Sequence, residues 1–206
     1  MSAAGLQPYI EHAGITVGAI SGVLAAKGKR IDLFGVLVLA LAAAFGGGTV
    51  RDLLVGDTPV AWLRGPEMML NAVVTALVTF IAARWIRMPH GLLQVADAVS
   101  LAFFVMLGVG KGLAFDLSPA VAVLLGVITG VAGGIVRDVL LGEVPYVFRR
   151  EIRLYATAAI AGGIVNVLLQ PLGSLPAATA GFLTILCLRL AAMRWRLSLP
   201  VFEMKE

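Results

Sequence analysis

With 206 residues, 60% of them hydrophobic and only 14% charged, the chain is too apolar for a soluble domain, where about 45–50% of residues are apolar and about 25% charged; it reads as a single integral membrane domain. A net charge of +4 with a pI of 9.6 would fit nucleic acid in a soluble protein, but in a membrane chain basic residues collect in cytoplasmic loops and set topology, so no nucleic-acid partner is expected. The single cysteine, Cys187, excludes an internal disulfide and any multi-cysteine metal site, and no basic segment precedes the first apolar run as a cleavable signal would require.

Seven apolar segments follow in order, at about 13–26, 33–50, 67–86, 97–110, 119–136, 151–170 and 176–193. A bilayer core takes about 20 helical residues. The first and fourth runs reach that length when Tyr9-Ile10 and the Leu92-Leu93 stretch are added. The runs lack the alternation of barrel strands, so the fold class is an all-α membrane protein of seven transmembrane helices. The connections are short: Lys27 to Asp32, Arg84 to His90, Lys111 to Pro119 and Gln170 to Ser174.

The sequence repeats itself. Lys27-Gly28 with Asp32 matches Lys111-Gly112 with Asp116, and Glu67 matches Glu151, at an offset of 84; Arg51-Asp52 matches Arg137-Asp138, and Pro59 matches Pro145, at an offset of 86. The chain is three helices (about 9–88), the same three again (about 92–172) and one extra (about 175–194). An odd number of spans per repeat makes the second copy enter from the opposite side, so the repeats are expected to be inverted.

Charge asymmetry orients the chain. The side holding the N-terminus carries three basic residues, Arg51, Arg64 and Lys111. The other side carries the remaining thirteen: Lys27, Lys29, Arg30, Arg84, Arg87, Arg137, Arg149, Arg150, Arg153, Arg189, Arg194, Arg196 and Lys205. The N-terminus is therefore expected outside and the C-terminus in the cytoplasm.

The candidate site is a doubled motif. Gly46-Gly47-Gly48-Thr49-Val50-Arg51-Asp52 closes the second run, and Gly133-Gly134-Ile135-Val136-Arg137-Asp138 closes the fifth, each followed by Gly-x-x-Pro. In a helix starting near Asp32, Gly46 lies roughly 21 Å along the axis, well inside the bilayer. Adjacent glycines each cost about 1 kcal/mol relative to Ala in a helix, so both helices are expected to bend or unwind there. Freed backbone groups and charges at that depth are tolerated against protein or a wet cavity. Discontinuous helices of this kind form ion or substrate sites in inverted-repeat transporters.

Other features carry less. Gly126, Gly130 and Gly134 form a small-residue stripe suited to close helix packing. A phosphate-binding loop would need a strand–loop–helix unit and a Lys-Ser/Thr ending, which this chain lacks. His12 and His90 are lone and expected at the interface, and Tyr9, Trp62, Trp85, Tyr146 and Trp195 lie near segment ends as an aromatic belt would. No Ser/His/Asp, Cys/His or paired-carboxylate arrangement points to catalysis, so neither an enzyme nor a cofactor or bound metal is expected.

The motifs GGGTVRD and GGIVRD, in a seven-helix chain of two three-helix repeats, resemble the prokaryotic trimeric intracellular cation (TRIC) channel family over nearly the whole chain. The same motif marks bacterial inner-membrane proteins described as glycine transporters. The resemblance implies a homotrimer in the prokaryotic inner membrane, with one pore per subunit. It implies kinked second and fifth helices lining the pore, and permeation of monovalent cations, chiefly K⁺. By position, the kinks fall at Gly46, Gly47 and Gly48 and at Gly133 and Gly134, and the pore-facing charges at Arg51, Asp52, Arg137 and Asp138, with Thr49 between. Ala132 stands where the second triplet's first glycine would be. Animal members carry a Lys-Glu-Val motif tied to phosphoinositides, which does not occur here; a general attraction of the basic cytoplasmic face to anionic lipids remains.

Two functions fit. A cation channel needs a continuous polar path with weak multi-site binding. A secondary transporter of glycine or a similar zwitterion needs an occluded site and alternating access, and an Arg-Asp pair could grip both ends of a zwitterion.

Overall fold

The computed structural model describes residues 3–86, 89, 91–149 and 154–195. Of the sequence features above, Arg87, His90, Arg150, Glu151, Arg153, Arg196, Lys205 and the start of the sixth apolar run lie outside the described residues. Seven long helices follow one another: α1 (Ala3–Ala25), α2 (Leu33–Leu54), α3 (Pro66–Trp85), α4 (Leu92–Ala114), α5 (Pro119–Leu140), α6 (Tyr155–Leu169) and α7 (Ser174–Trp195). No strand occurs among the described residues. The last six are long and apolar enough to cross a membrane, α6 when the 3₁₀ turn that continues it to Leu172 is counted, and α1 has the length at 23 residues. The protein is an integral membrane protein built from helices.

Several helices outrun their apolar segments. α1 begins about ten residues early, and α4 extends past Gln94, Asp97 and Lys111. Polar side chains interrupt hydropathy without interrupting helical hydrogen bonding. α2 starts where Asp32 caps it, its side chain accepting the Gly35 N–H at 2.8 Å. α2 and α5 then run through the Arg-Asp pairs and stop at the next glycine. Gly56 (φ 71°) and Gly142 (φ 68°) adopt the left-handed conformation that costs glycine least. The N–H of the following residue reaches back five positions, Asp57 to Asp52 O at 2.8 Å and Glu143 to Asp138 O at 2.9 Å. This is a Schellman ending in both halves.

Two apolar clusters form the interior. One joins Ile15, Ala19 and Val23 of α1 to Val36, Ala40 and Ala44 of α2 and to Ala72 and Ala76 of α3. The other joins Leu101, Val105 and Val109 of α4 to Tyr155 and Ala159 of α6 and to Ile185 of α7. In a bilayer, helices associate through close van der Waals contact rather than through escape from water, and the contact residues here are small. A Cβ on Gly22 would lie 2.5 Å from the Ala40 Cα, and one on Gly162 2.6 Å from the Gly181 carbonyl oxygen. The stripe on α5 packs as its spacing predicts at two of three positions: Gly126 meets the Val105 carbonyl and Gly130 meets Leu101, both on α4.

Candidate functional site

The glycines of the motif do not interrupt their helices. α2 is α-helical from Leu33 to Leu54 and α5 from Pro119 to Leu140, so the unwound segment expected at Gly46–Gly48 and Gly133–Gly134 is not formed. The same glycines lie at the crossing of α2 over α5. A Cβ on Gly47 would sit 1.9 Å from the Thr129 carbonyl oxygen, one on Gly133 2.6 Å from the Ala43 oxygen, and one on Gly46 3.1 Å from the Gly133 Cα. The cost of glycine in a helix is thus offset by a backbone-to-backbone contact no other residue permits. Gly48 and Gly134 differ: the nearest atoms to their missing side chains are 3.8 Å and 3.6 Å away, so each leaves a small space. Thr49 returns its hydroxyl to Phe45 O at 2.8 Å and accepts the Trp62 indole N–H at 3.0 Å.

One turn beyond the crossing, the four motif charges turn inward. Arg51 and Asp52 are 4% and 0% exposed, Arg137 and Asp138 0% and 2%. Each Arg Nε donates to the neighbouring Asp Oδ1 at 2.8 Å. Each Asp Oδ2 then accepts a backbone N–H from the 3₁₀ turn that follows, Ala61 at 2.9 Å and Tyr146 at 2.8 Å. Charge-assisted bonds of this length are the strong ones. They fix the re-entry of the chain after the helix, which is why Gly-x-x-Pro follows the motif in both halves.

The loops repeat the pattern at a larger scale. Asp57, after α2, binds Arg64 and Lys111, the latter at the end of α4. Glu143, after α5, binds Arg149 and Lys29, the latter in the loop after α1. Each half therefore lends a lysine to the other's loop. The hydrogen bonds from Lys111 and Arg64 hold the Asp57 carboxyl below its usual range, and those from Lys29 and Arg149 do the same for Glu143. Burial raises the Tyr146 phenol above its usual value.

The two motif sites differ in their surroundings. Beside Arg51, Lys111 lies 3.8 Å from Asp52. A cavity of about 30 Å³, lined by Glu11, Gly48, Arg51, Asp52, Trp62 and Phe104 among others, opens beside them; it can hold water. Around Arg137, Nη1 lies 3.3 Å from Asp97 Oδ1 and 3.2 Å from Ser21 Oγ, and Arg189 Nη2 lies 4.0 Å from Asp97 Oδ2. The Arg189 guanidinium also stacks over Tyr155, 4.6 Å from its ring centre.

Asp97, Ser21, Tyr155 and Arg189 escape a motif search because each stands alone in an apolar run. The available signal was cost: a charge inside a membrane helix, as at Asp97 and Arg189, calls for a partner by default. Trp62 and Tyr146 likewise leave the belt expected of them. Trp62 stacks on Phe45 at 5.3 Å, and Tyr146 lies beneath Arg137 and Arg149, whereas Tyr9, Trp85 and Trp195 are exposed. His12 also faces inward, its Nδ1 lying 3.0 Å from Asn71 Nδ2 on α3.

Comparison with known proteins places this geometry. The family model described as Glycine transporter matches the chain twice, over residues 9–84 and 94–171. The chain is 46% identical over 202 residues to the UPF0126 inner membrane protein YadS of Escherichia coli (strain K12), covering 96% of this chain and 97% of that protein. It is 44% identical to a UPF0126 membrane protein of Vibrio cholerae, over 96% of this chain and 83% of the relative. Among solved structures, it matches the TRIC trimeric intracellular cation channel orthologue from Rhodobacter sphaeroides with a TM-score of 0.86 and 34% identity, covering 93% of this chain and 99% of that one. A second, solved to give the structural basis for conductance through TRIC cation channels, matches with a TM-score of 0.83 and 35% identity, covering 97% and 98%.

Proposed function

The chain belongs to the glycine transporter family, two copies of whose domain span it, and from that premise we propose that it is a monovalent cation channel, with K⁺ the chief permeant ion. The observation that carries this is the likeness to the Rhodobacter sphaeroides TRIC channel, a TM-score of 0.86 at 34% identity over nearly the full length of both chains. The active form is a homotrimer in the inner membrane, each subunit with its own pathway along α2 and α5. The halves are inverted, with the N-terminus outside and the C-terminus in the cytoplasm. The interchange of lysines between the two loops, and the twin Asp-to-amide bonds, support an inverted pair. The pathway runs past Gly46, Gly47, Gly48, Thr49, Arg51 and Asp52 in the outer half and past Gly133, Gly134, Arg137 and Asp138 in the inner half. On the cytoplasmic side a groove of about 1010 Å³, lined by Lys27, Lys29 and Arg84 with Phe80 and Trp85, suits anionic lipid headgroups and their chains.

A second reading, transport of glycine or a similar zwitterion, is favoured by the tight α2–α5 crossing at Gly47 and Thr129, since alternating access requires a closed middle. Planar-bilayer recording of the purified protein in K⁺, paired with labelled-glycine uptake into the same liposomes, separates the two. Single-channel K⁺ currents without saturable glycine uptake are expected; saturable uptake without unitary currents would replace the channel with the transporter.

A further inference from the structure

We propose that Asp97, Ser21 and Asp138 form a monovalent-cation site in the inner half of the protein, and that the Arg137 guanidinium occupies it as a tethered cation. Its physiological meaning rests on the cation-pathway reading above, but its test does not read flux.

Three observations carry it. Arg137 reaches across from α5 into oxygen atoms supplied by other helices: Asp97 Oδ1 on α4 at 3.3 Å and Ser21 Oγ on α1 at 3.2 Å. These Nη1 contacts are long for charge-assisted bonds, which run at about 2.7–2.9 Å, while Nε holds Asp138 Oδ1 at 2.8 Å, so the guanidinium is held closely by Asp138 and loosely by Asp97 and Ser21. Second, the cage has spare capacity. Asp97 is 4% exposed, its Oδ2 is buried without a hydrogen bond, and Arg137 Nη2 is buried in the same condition. Gly134 leaves a small space at this point, with the Tyr155 hydroxyl 3.6 Å, Asp97 Oδ1 3.7 Å and Arg137 Nη2 3.8 Å from where its Cβ would stand. Third, the charge balance fits. Among the described residues Asp97 and Asp138 both pair with Arg137, and Asp97 also lies 4.0 Å from Arg189. Removing the Arg137 charge takes one positive charge from these carboxylates, which one monovalent cation restores. Carboxylate, hydroxyl and phenol oxygens are donors for hard cations rather than for thiophilic metals. In the outer half the corresponding position, at the offset of 84 that relates Lys27 to Lys111, holds Ala13. The sealed carboxylate is a property of the inner half.

The displaced state is reached by substitution. The thermal unfolding midpoints of wild type, Arg137→Gln, Arg137→Lys and the double variant Asp97→Asn/Arg137→Gln are measured in detergent, in KCl and in N-methylglucamine chloride of equal ionic strength. A ligand that binds only the folded state raises the midpoint with its concentration. Arg137→Gln is expected to gain several degrees in K⁺, saturably. Wild type and Arg137→Lys, which keep the tethered charge, and the double variant, which loses the carboxylate, are expected to show no K⁺-specific shift. A shift in Arg137→Gln no larger than in the double variant overturns the site, as does an equal shift in Arg137→Lys, or failure of Arg137→Gln to fold even in KCl. Wild-type protein without K⁺ current would sink the channel and leave this result standing; normal current with a K⁺-insensitive Arg137→Gln would sink the site alone.

Discussion

Asp138 accepts the backbone N–H of Tyr146 at 2.8 Å while its other oxygen holds Arg137, so one buried carboxylate fixes both a helix end and the turn that follows. Asp52 does the same for Ala61 and Arg51. The carboxylates are therefore structural anchors as well as candidate pathway charges, and the arginines differ in how much they leave behind.

Arg137→Ala is expected to destabilise more than Arg51→Ala. Removing Arg137 takes the guanidinium from both Asp97 and Asp138, leaving Asp97 with Arg189 4.0 Å away, and loss of one partner of a buried pair costs about 3–5 kcal/mol. Removing Arg51 strands Asp52 with Lys111 3.8 Å away and a cavity that admits water, so the loss is roughly half as large. Thermal unfolding of both variants in detergent ranks them. Where folded protein is obtained, the loss of positive charge should raise cation conductance; unchanged current in both would place the pathway elsewhere.

Gly47→Ala should be among the most damaging single changes, because the new Cβ would lie 1.9 Å from a backbone oxygen that cannot swing aside. Overpacking costs typically about 1–3 kcal/mol, and this contact exceeds the usual case. Gly48→Ala, one residue on, meets only Arg51 Nη2 at 3.8 Å and should cost no more than a few tenths of a kcal/mol. Expression and melting temperature of the pair test whether the motif glycines act as a helix contact. Equal tolerance of both would return the argument to a kink.

The two loop clamps should be insensitive to pH through the physiological range. Asp57 and Glu143 are both held below their usual values, by Lys111 and Arg64 and by Lys29 and Arg149. A depressed carboxylate contributes its stability above the unfolded value and loses it as pH falls through the folded one. The loss therefore begins only below about pH 5. Melting temperature should show no pH dependence from these groups between about pH 5 and 8, and Asp57→Asn should remove part of the decline seen in more acid buffer.

A reporter fused after Glu206 should be active in the cytoplasm. Activity confined to the outside would reverse the orientation and with it the naming of the inner and outer sites.

Much of this was legible beforehand, for a physical reason. Hydropathy reports bilayer crossing directly, so α2, α3, α5 and α7 stand within a few residues of their apolar runs. The doubled motif reports itself by recurrence. The function of its glycines was not legible, since a glycine that loosens a helix and one that admits a neighbouring backbone look alike until the neighbour is placed: Gly47 needs Thr129, 82 positions on. Asp97 was invisible for the same reason. Its meaning comes from Arg137 and Arg189, which the fold brings from two other helices.

The crossed lysines bear on biogenesis. When α3 has entered the membrane, Asp57 has Arg64 beside it, but Lys111 has not yet been made. Lys29 is already in place and waits more than a hundred residues for Glu143. Each half therefore completes its loop clamp only when the other is present. Because α2 also packs on α5 and α1 on α4, separately expressed halves should accumulate better together than alone, as two chains of an antiparallel heterodimer would.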